Sequence, residues 1–101
     1  MDFDCLDVES IVGFDWDEGN ISKNEEKHGL KWTRIEEVFF NEPLLIVEDF
    51  KHSDRECRCI ALGQNDLGNL ITVVFTIRNH CIRVISARTM SKKERKIYER
   101  D

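Results

Sequence analysis

The 101 residues include 20 acidic and 15 basic side chains, for a formal net charge of −5, with 41% hydrophobic and 35% charged residues. That balance excludes a disordered chain, and no apolar run approaches the roughly 20 residues of a membrane helix. The acidic start MDFDCLDVES has no basic region of a secretory leader, so the expectation is one cytoplasmic domain over residues 1–101, with 1–10 as an acidic extension.

Charge is unevenly spread. Residues 1–50 hold 14 acids and 4 bases, a net of −10, and residues 51–101 hold 6 acids and 11 bases, a net of +5. A basic half suits a polyanionic partner, and an ordinary mixed surface explains it equally.

Along the chain, Ile11-Val-Gly-Phe-Asp-Trp16 alternates and reads as a first strand with Phe14 and Trp16 on one face. Asn20 is placed as the N-cap of a short helix over Ile21–Lys27, stopped near Gly29. Asn24 and His28 share a face of it with Ile21. Thr33 and Glu36 form the spacing of a capping box, and Ile35, Val38 and Phe39 make the apolar stripe of a second short helix that Pro43 ends.

Leu44–Phe50 is the next strand, Lys51–Arg55 a loop, and Glu56–Leu62 a third strand. Cys57, Cys59 and Ala61 fall on one face of that strand, with Arg58, Ile60 and Leu62 on the other. Gly63–Asn69 is a turn. Leu70–Ile77 and Ile82–Ala87 are β-branched runs separated by Arg78-Asn-His-Cys81, the pattern of a β-hairpin. Because the hairpin is apolar on both sides, it belongs in the middle of the sheet. Ser91 and Glu94 repeat the capping box and open a last helix, Lys92–Arg100, with Ile97 and Tyr98 toward the sheet. The class is α+β: an antiparallel meander with two short N-terminal helices and one C-terminal helix.

No Gly-rich phosphate loop, nucleophile elbow or zinc motif is present, so no cofactor and no metal are expected. A metal-binding regulator would draw on Cys57, Cys59 and Cys81, with His80. Alternation on a strand opposes that set, and small residues packed in a sheet is the plainer reading. What stands out is polar chemistry on apolar strands: Arg58, Arg83, Ser86 and Arg88, then Glu94 and Tyr98. On a regular strand Arg83 and Arg88 project to opposite faces, and a bulge or strand end brings them together. One reading pairs these arginines with the acidic half. The other is RNA cleavage, in which a 2′-hydroxyl attacks the adjacent phosphate and the 5′-oxygen leaves. Planar guanidinium groups then face the charged phosphorane, and His, Lys, Glu or Tyr moves protons. Lys27, His28, Arg58, Arg83, Arg88 and Tyr98 supply such a set if they converge.

The order of several motifs resembles the BrnT family of toxins. The opening is Phe14-Asp-Trp-Asp17, Asn24 and Lys27-His-Gly-Leu30. Glu37-Val-Phe-Phe40, Glu48-Asp49 and His52-Ser53 follow. The second half has Arg58 before Gly63, Val73-Val-Phe-Thr76, Ile82-Arg-Val-Ile-Ser-Ala-Arg88, and Lys93-Glu-Arg95 with Tyr98. The likeness spans about residues 11–100. It implies a small RelE-like ribonuclease toxin of a type II toxin–antitoxin pair, metal-independent and growth-arresting. It also implies a BrnA-type ribbon–helix–helix antitoxin, with operator DNA reached only through that partner and no membrane. By motif position it implies Lys27, His28, Arg58, Arg83 and Arg88 as catalytic candidates, with Glu94 and Tyr98 beside them. Lys27 and the arginines would bind phosphate and stabilise charge, and His28 would transfer a proton. Asn20 stands where the family usually has Lys, Cys59 where an aromatic is common, and Asn79-His80 where Gly-Asp is usual. A non-catalytic member that binds an antitoxin and helps repress its promoter is the alternative.

Overall fold

The computed structural model describes residues 10–49 and 57–100. Residues 1–9 of the expected acidic extension, Cys5 among them, the loop Lys51–Arg55, the His52-Ser53 motif and the ends of two strands at Phe50 and Glu56 lie outside the described residues. Among the described residues, five strands and three helices occur in the order β1 (Gly13–Phe14), α1 (Glu18–His28), α2 (Trp32–Glu37), β2 (Leu45–Glu48), β3 (Cys59–Gln64), β4 (Leu70–Arg78), β5 (Cys81–Thr89) and α3 (Lys92–Glu99), with a 3-10 turn at Val38–Phe40. No helix among the described residues is long and apolar enough to cross a membrane.

The sheet order is β1-β5-β4-β3-β2, so the hairpin of β4 and β5 is central, as its two-sided apolar sequence demands. The hairpin turn is Asn79-His80, both in the left-handed region (φ 52° and 64°), the geometry that two-residue hairpin loops require. Strands β2 to β5 pair antiparallel in succession, but β1 lies parallel to β5 through Gly13–Cys81 and Phe14–Ile82. The sheet is therefore mixed, not the purely antiparallel meander expected. β1 and β5 are distant in sequence, and no short turn dictates their direction.

One face of the sheet is the core. Cys59 and Ala61 of β3, Ile71, Val73 and Phe75 of β4, and Ile82, Val84 and Ala87 of β5 are buried against Ile35 and Val38. Phe39 meets Phe75 edge-on, with ring centroids 5.2 Å apart. A second cluster on the other side joins Leu62, Met90 and Tyr98 under α3.

The helix starts show which local signals hold. Ser91 and Glu94 form the expected capping box. The Thr33–Glu36 box does not form; Lys31 sits at the N-cap with no side-chain bond. The Glu36 carboxylate instead accepts the Trp16 indole N–H at 2.9 Å. Asp17, not Asn20, caps α1, accepting the Asn20 amide at 2.8 Å. On α3 the inward residue is Tyr98, 5% exposed, while Ile97 is 48% exposed.

Candidate functional site

The arrangement of the arginines depends on one irregularity. Along β4 and β5, Val74 pairs with Ser86 but Phe75 pairs with Val84, so Ile85 is an extra residue. Such a bulge reverses the alternation beyond it. Arg83 lies opposite Thr76 and Arg88 opposite Thr72, and Thr72 and Thr76 share a face of β4. Arg83 and Arg88 therefore share the face opposite the main core. The Asp49 amide donates to the Arg58 carbonyl at 2.7 Å, extending the β2–β3 ladder by one pair. Alternation from Ile60 then sets Arg58 on the same face, level with Thr76. Arg58 and Arg83 flank Thr76 across three strands, their backbones roughly 10 Å apart. Arg88 lies about 13 Å further along β5.

Each end has its own electrostatics. Arg83 Nη2 donates to Asp17 at 2.6 Å, and Nη1 lies 3.5 Å from Asp15. Asp17 is held below the usual carboxylate range, first by the Asn20 amide and then by Arg83, and Asp17 in turn raises Arg83. At the other end Arg88 forks onto Glu94, Nη1 to Oε1 at 2.7 Å and Nη2 to Oε2 at 2.9 Å. Glu94 also accepts Thr72 Oγ1 at 2.8 Å and the Ser91 amide at 2.8 Å. These bonds, that from Arg88 foremost, bring its carboxyl down to about 2. Glu94 is thus ionised and fully engaged, and suits holding Arg88 rather than giving up a proton. The Tyr98 hydroxyl donates to the Pro43 carbonyl at 2.6 Å, and burial raises its pKa, so it ties α3 to the sheet.

The two α1 candidates separate. Lys27 lies with Gly19, Lys23 and Glu26 on the helix's outer stripe. His28 follows the Asn20–Asn24 stripe, is exposed, and lines a hollow with Thr89 and Arg95. Since Thr89 and Arg95 adjoin Arg88 and Glu94 in the chain, His28 sits at the Arg88 end of the sheet. The structure thus brings Arg88, Glu94 and the His28 hollow to one end and sets Arg58 and Arg83 at the other. Among the described residues no group of three or more His, Cys, Asp or Glu is placed to hold a metal ion.

Some participants escape a sequence reading. Asp17 was legible as a cap, being an Asp before a helix, but its bond to Arg83 crosses 66 positions. Thr72 reads as a β-branched strand residue and shows no sign of the Glu94 contact. Asn24, buried to 1%, accepts the Ala87 amide at 3.1 Å, and Asn20 donates to the Val84 carbonyl at 2.9 Å. Asn20 is thus a structural contact between α1 and β5.

A family model described as the ribonuclease toxin BrnT of type II toxin–antitoxin systems matches residues 16–94. Among solved structures, the Brucella abortus ribonuclease toxin BrnT, a 1.1 Å crystal structure, is similar with a TM-score of 0.61 and 24% identity. The match covers 80% of this chain and 99% of that one; at that identity it speaks for the fold. No curated protein sequence matches.

Proposed function

The chain belongs to the BrnT family of ribonuclease toxins of type II toxin–antitoxin systems, and from that premise we propose that it is a metal-independent endoribonuclease working on the part of the sheet face opposite the main core that α3 leaves uncovered. The fold is read as RelE-like, a single catalytic domain acting in the cytoplasm. The observation that carries the reading is the bulge at Ile85, which turns Arg83 and Arg88 to one side with Arg58. A strand without it would send one arginine into the apolar core, an arrangement that costs several kcal/mol.

In this reading the RNA lies along β5. Arg58 and Arg83 bind backbone phosphate, and Arg88, aimed by Glu94, faces the charge that grows on the phosphorane. The 2′-oxygen bonds to phosphorus as the bond to the 5′-oxygen breaks. His28 transfers a proton at that end, and Lys27 attracts the polyanion without touching the reacting atoms. Glu94 and Tyr98 position Arg88 and α3. A BrnA-type ribbon–helix–helix antitoxin covers this face or adds a strand at a sheet edge, and operator DNA is reached through that partner.

The test is cleavage of RNA by the purified protein in the presence of a chelator, beside growth arrest on induction without the antitoxin gene. Arg83→Ala, Arg88→Ala and His28→Ala, with folding checked by circular dichroism, should each lose about 100-fold or more in rate. Unchanged cleavage in Lys27, His28, Arg58, Arg83 and Arg88 variants alike rejects the site. A second reading draws on the ion pairs: Arg83 and Arg88 both already hold carboxylates, as suits a non-catalytic co-repressor. That reading predicts promoter repression with the antitoxin and no cleavage by free protein.

A further inference from the structure

His28 borders a hollow whose other residues have no part in the reaction just described. The hollow has a volume of about 470 Å³, within the range of small-ligand sites. It forms where α1 ends, β4 begins, β5 ends and α3 passes. Leu30 and Leu70 give it apolar walls, and His28, Asn69, Thr89 and Arg95 give it a polar rim. Among the described residues no carboxylate lies within ion-pair distance of Arg95, in contrast to Arg83 and Arg88. Arg95 is exposed on the first turns of α3, one residue from the Glu94 that aims Arg88.

An apolar wall beside an uncommitted guanidinium and an amide fits one chemical class well. A nucleotide has a flat, largely apolar base, edges that hydrogen-bond, and a phosphate. Arg binds phosphate through its planar fork, and single-stranded nucleic acid is held by cationic side chains together with packing surfaces for bases. An acidic peptide would use the cation but leave the apolar wall idle.

Resting on the ribonuclease reading, we infer that this hollow is a nucleotide subsite. Arg95 holds a phosphate of the RNA next to the scissile one, and Asn69 and Thr89 hydrogen-bond the nucleotide seated against Leu30 and Leu70. Arg95 acts through binding, so its loss raises KM and leaves kcat near the wild-type value.

The probe is a short, fluorescently labelled oligouridine carrying 2′-O-methyl groups, which lack the attacking hydroxyl and stay intact. Fluorescence anisotropy is recorded over a salt series. Arg95→Gln should weaken binding about tenfold and reduce the slope of log K against log salt by about 0.7, the value of one phosphate contact on a single strand. Asn69→Ala should weaken binding about threefold and leave the slope alone, as fits a neutral hydrogen bond. Lys96→Gln, on the same helix but outside the hollow, is the control; an equal loss there means diffuse charge attraction and overturns the subsite. Tighter, Arg95-dependent binding of a glutamate polymer also overturns it. If the protein cuts RNA and Arg95→Gln alters neither affinity nor KM, the subsite falls and the ribonuclease reading stands. If RNA is never cut but the methylated probe binds in an Arg95-dependent way, the subsite stands and the catalytic reading falls.

Discussion

Replacing Glu94 with Gln tests the constellation at the Arg88 end. The substitution keeps the side-chain shape and removes the charge that accepts both Arg88 nitrogens, the Thr72 hydroxyl and the Ser91 amide. In the fold the carboxyl lies at about 2, against roughly 4.3 in an unfolded chain. At about 1.4 kcal/mol per pH unit, that difference is worth roughly 3 kcal/mol at neutral pH. Arg88 is 42% exposed and Glu94 22%, so screening by water reduces the figure to about 2 kcal/mol. Because the folded value is depressed, the contribution is complete above the unfolded value and disappears as pH falls from about 5 toward 2. Glu94→Gln should therefore lower Tm at neutral pH by roughly 8–16 °C. Urea melts of both proteins at a series of pH values are the assay, with the stability gap shrinking by more than half between about pH 6 and pH 3. A gap of constant size over that range refutes the assignment of the effect to an ionised Glu94.

Two further outcomes follow from the packing. Asn24→Ala leaves the buried Ala87 amide without its acceptor and should cost about 2 kcal/mol in urea unfolding, while Asn24→Asp, which keeps that acceptor but buries a charge and loses the donor to the Asn20 carbonyl, should cost at least as much at neutral pH. Tyr98→Phe removes the hydroxyl that donates to the Pro43 carbonyl and meets the Gln64 side chain; it should cost about 1 kcal/mol and leave RNA cleavage within about twofold, and a large loss of cleavage there means that the hydroxyl reaches the substrate.

The parts of the fold that could be read from the chain are those whose cause is local. The β4–β5 hairpin is announced by two β-branched runs and a two-residue turn, and the α3 start by Ser91 and Glu94, which need only each other. Thr33 and Glu36 have the same spacing, yet Trp16 takes the Glu36 carboxylate from 20 positions away, a competition invisible to any window. Asp17 and Asn20 are both good cap residues by type, and what separates them is that Asn20 is drawn to the Val84 carbonyl, 64 positions on. The candidate site depends on the same kind of information. Arg83 and Arg88 are plain as charges on an apolar strand, but their common face follows from the slip at Ile85, and the slip is defined only against β4. Nothing in the sequence around Arg95 sets it apart from its cationic neighbours, and the role proposed for it rests on the hollow that three other elements complete.

The asparagines of α1 have a consequence for the behaviour of the chain in concentrated solution. Beyond its two-residue contact with β1, strand β5 would present bare hydrogen-bonding groups to any other strand, the template from which ordered aggregates grow. The Val12 and Asp15 amides occupy the His80 and Ile82 carbonyls, and Asn20 and Asn24 occupy the Val84 carbonyl and Ala87 amide. A helix thus stands in for a missing neighbour strand, and this stretch of β5 offers a second copy of the molecule neither its Val84 carbonyl nor its Ala87 amide.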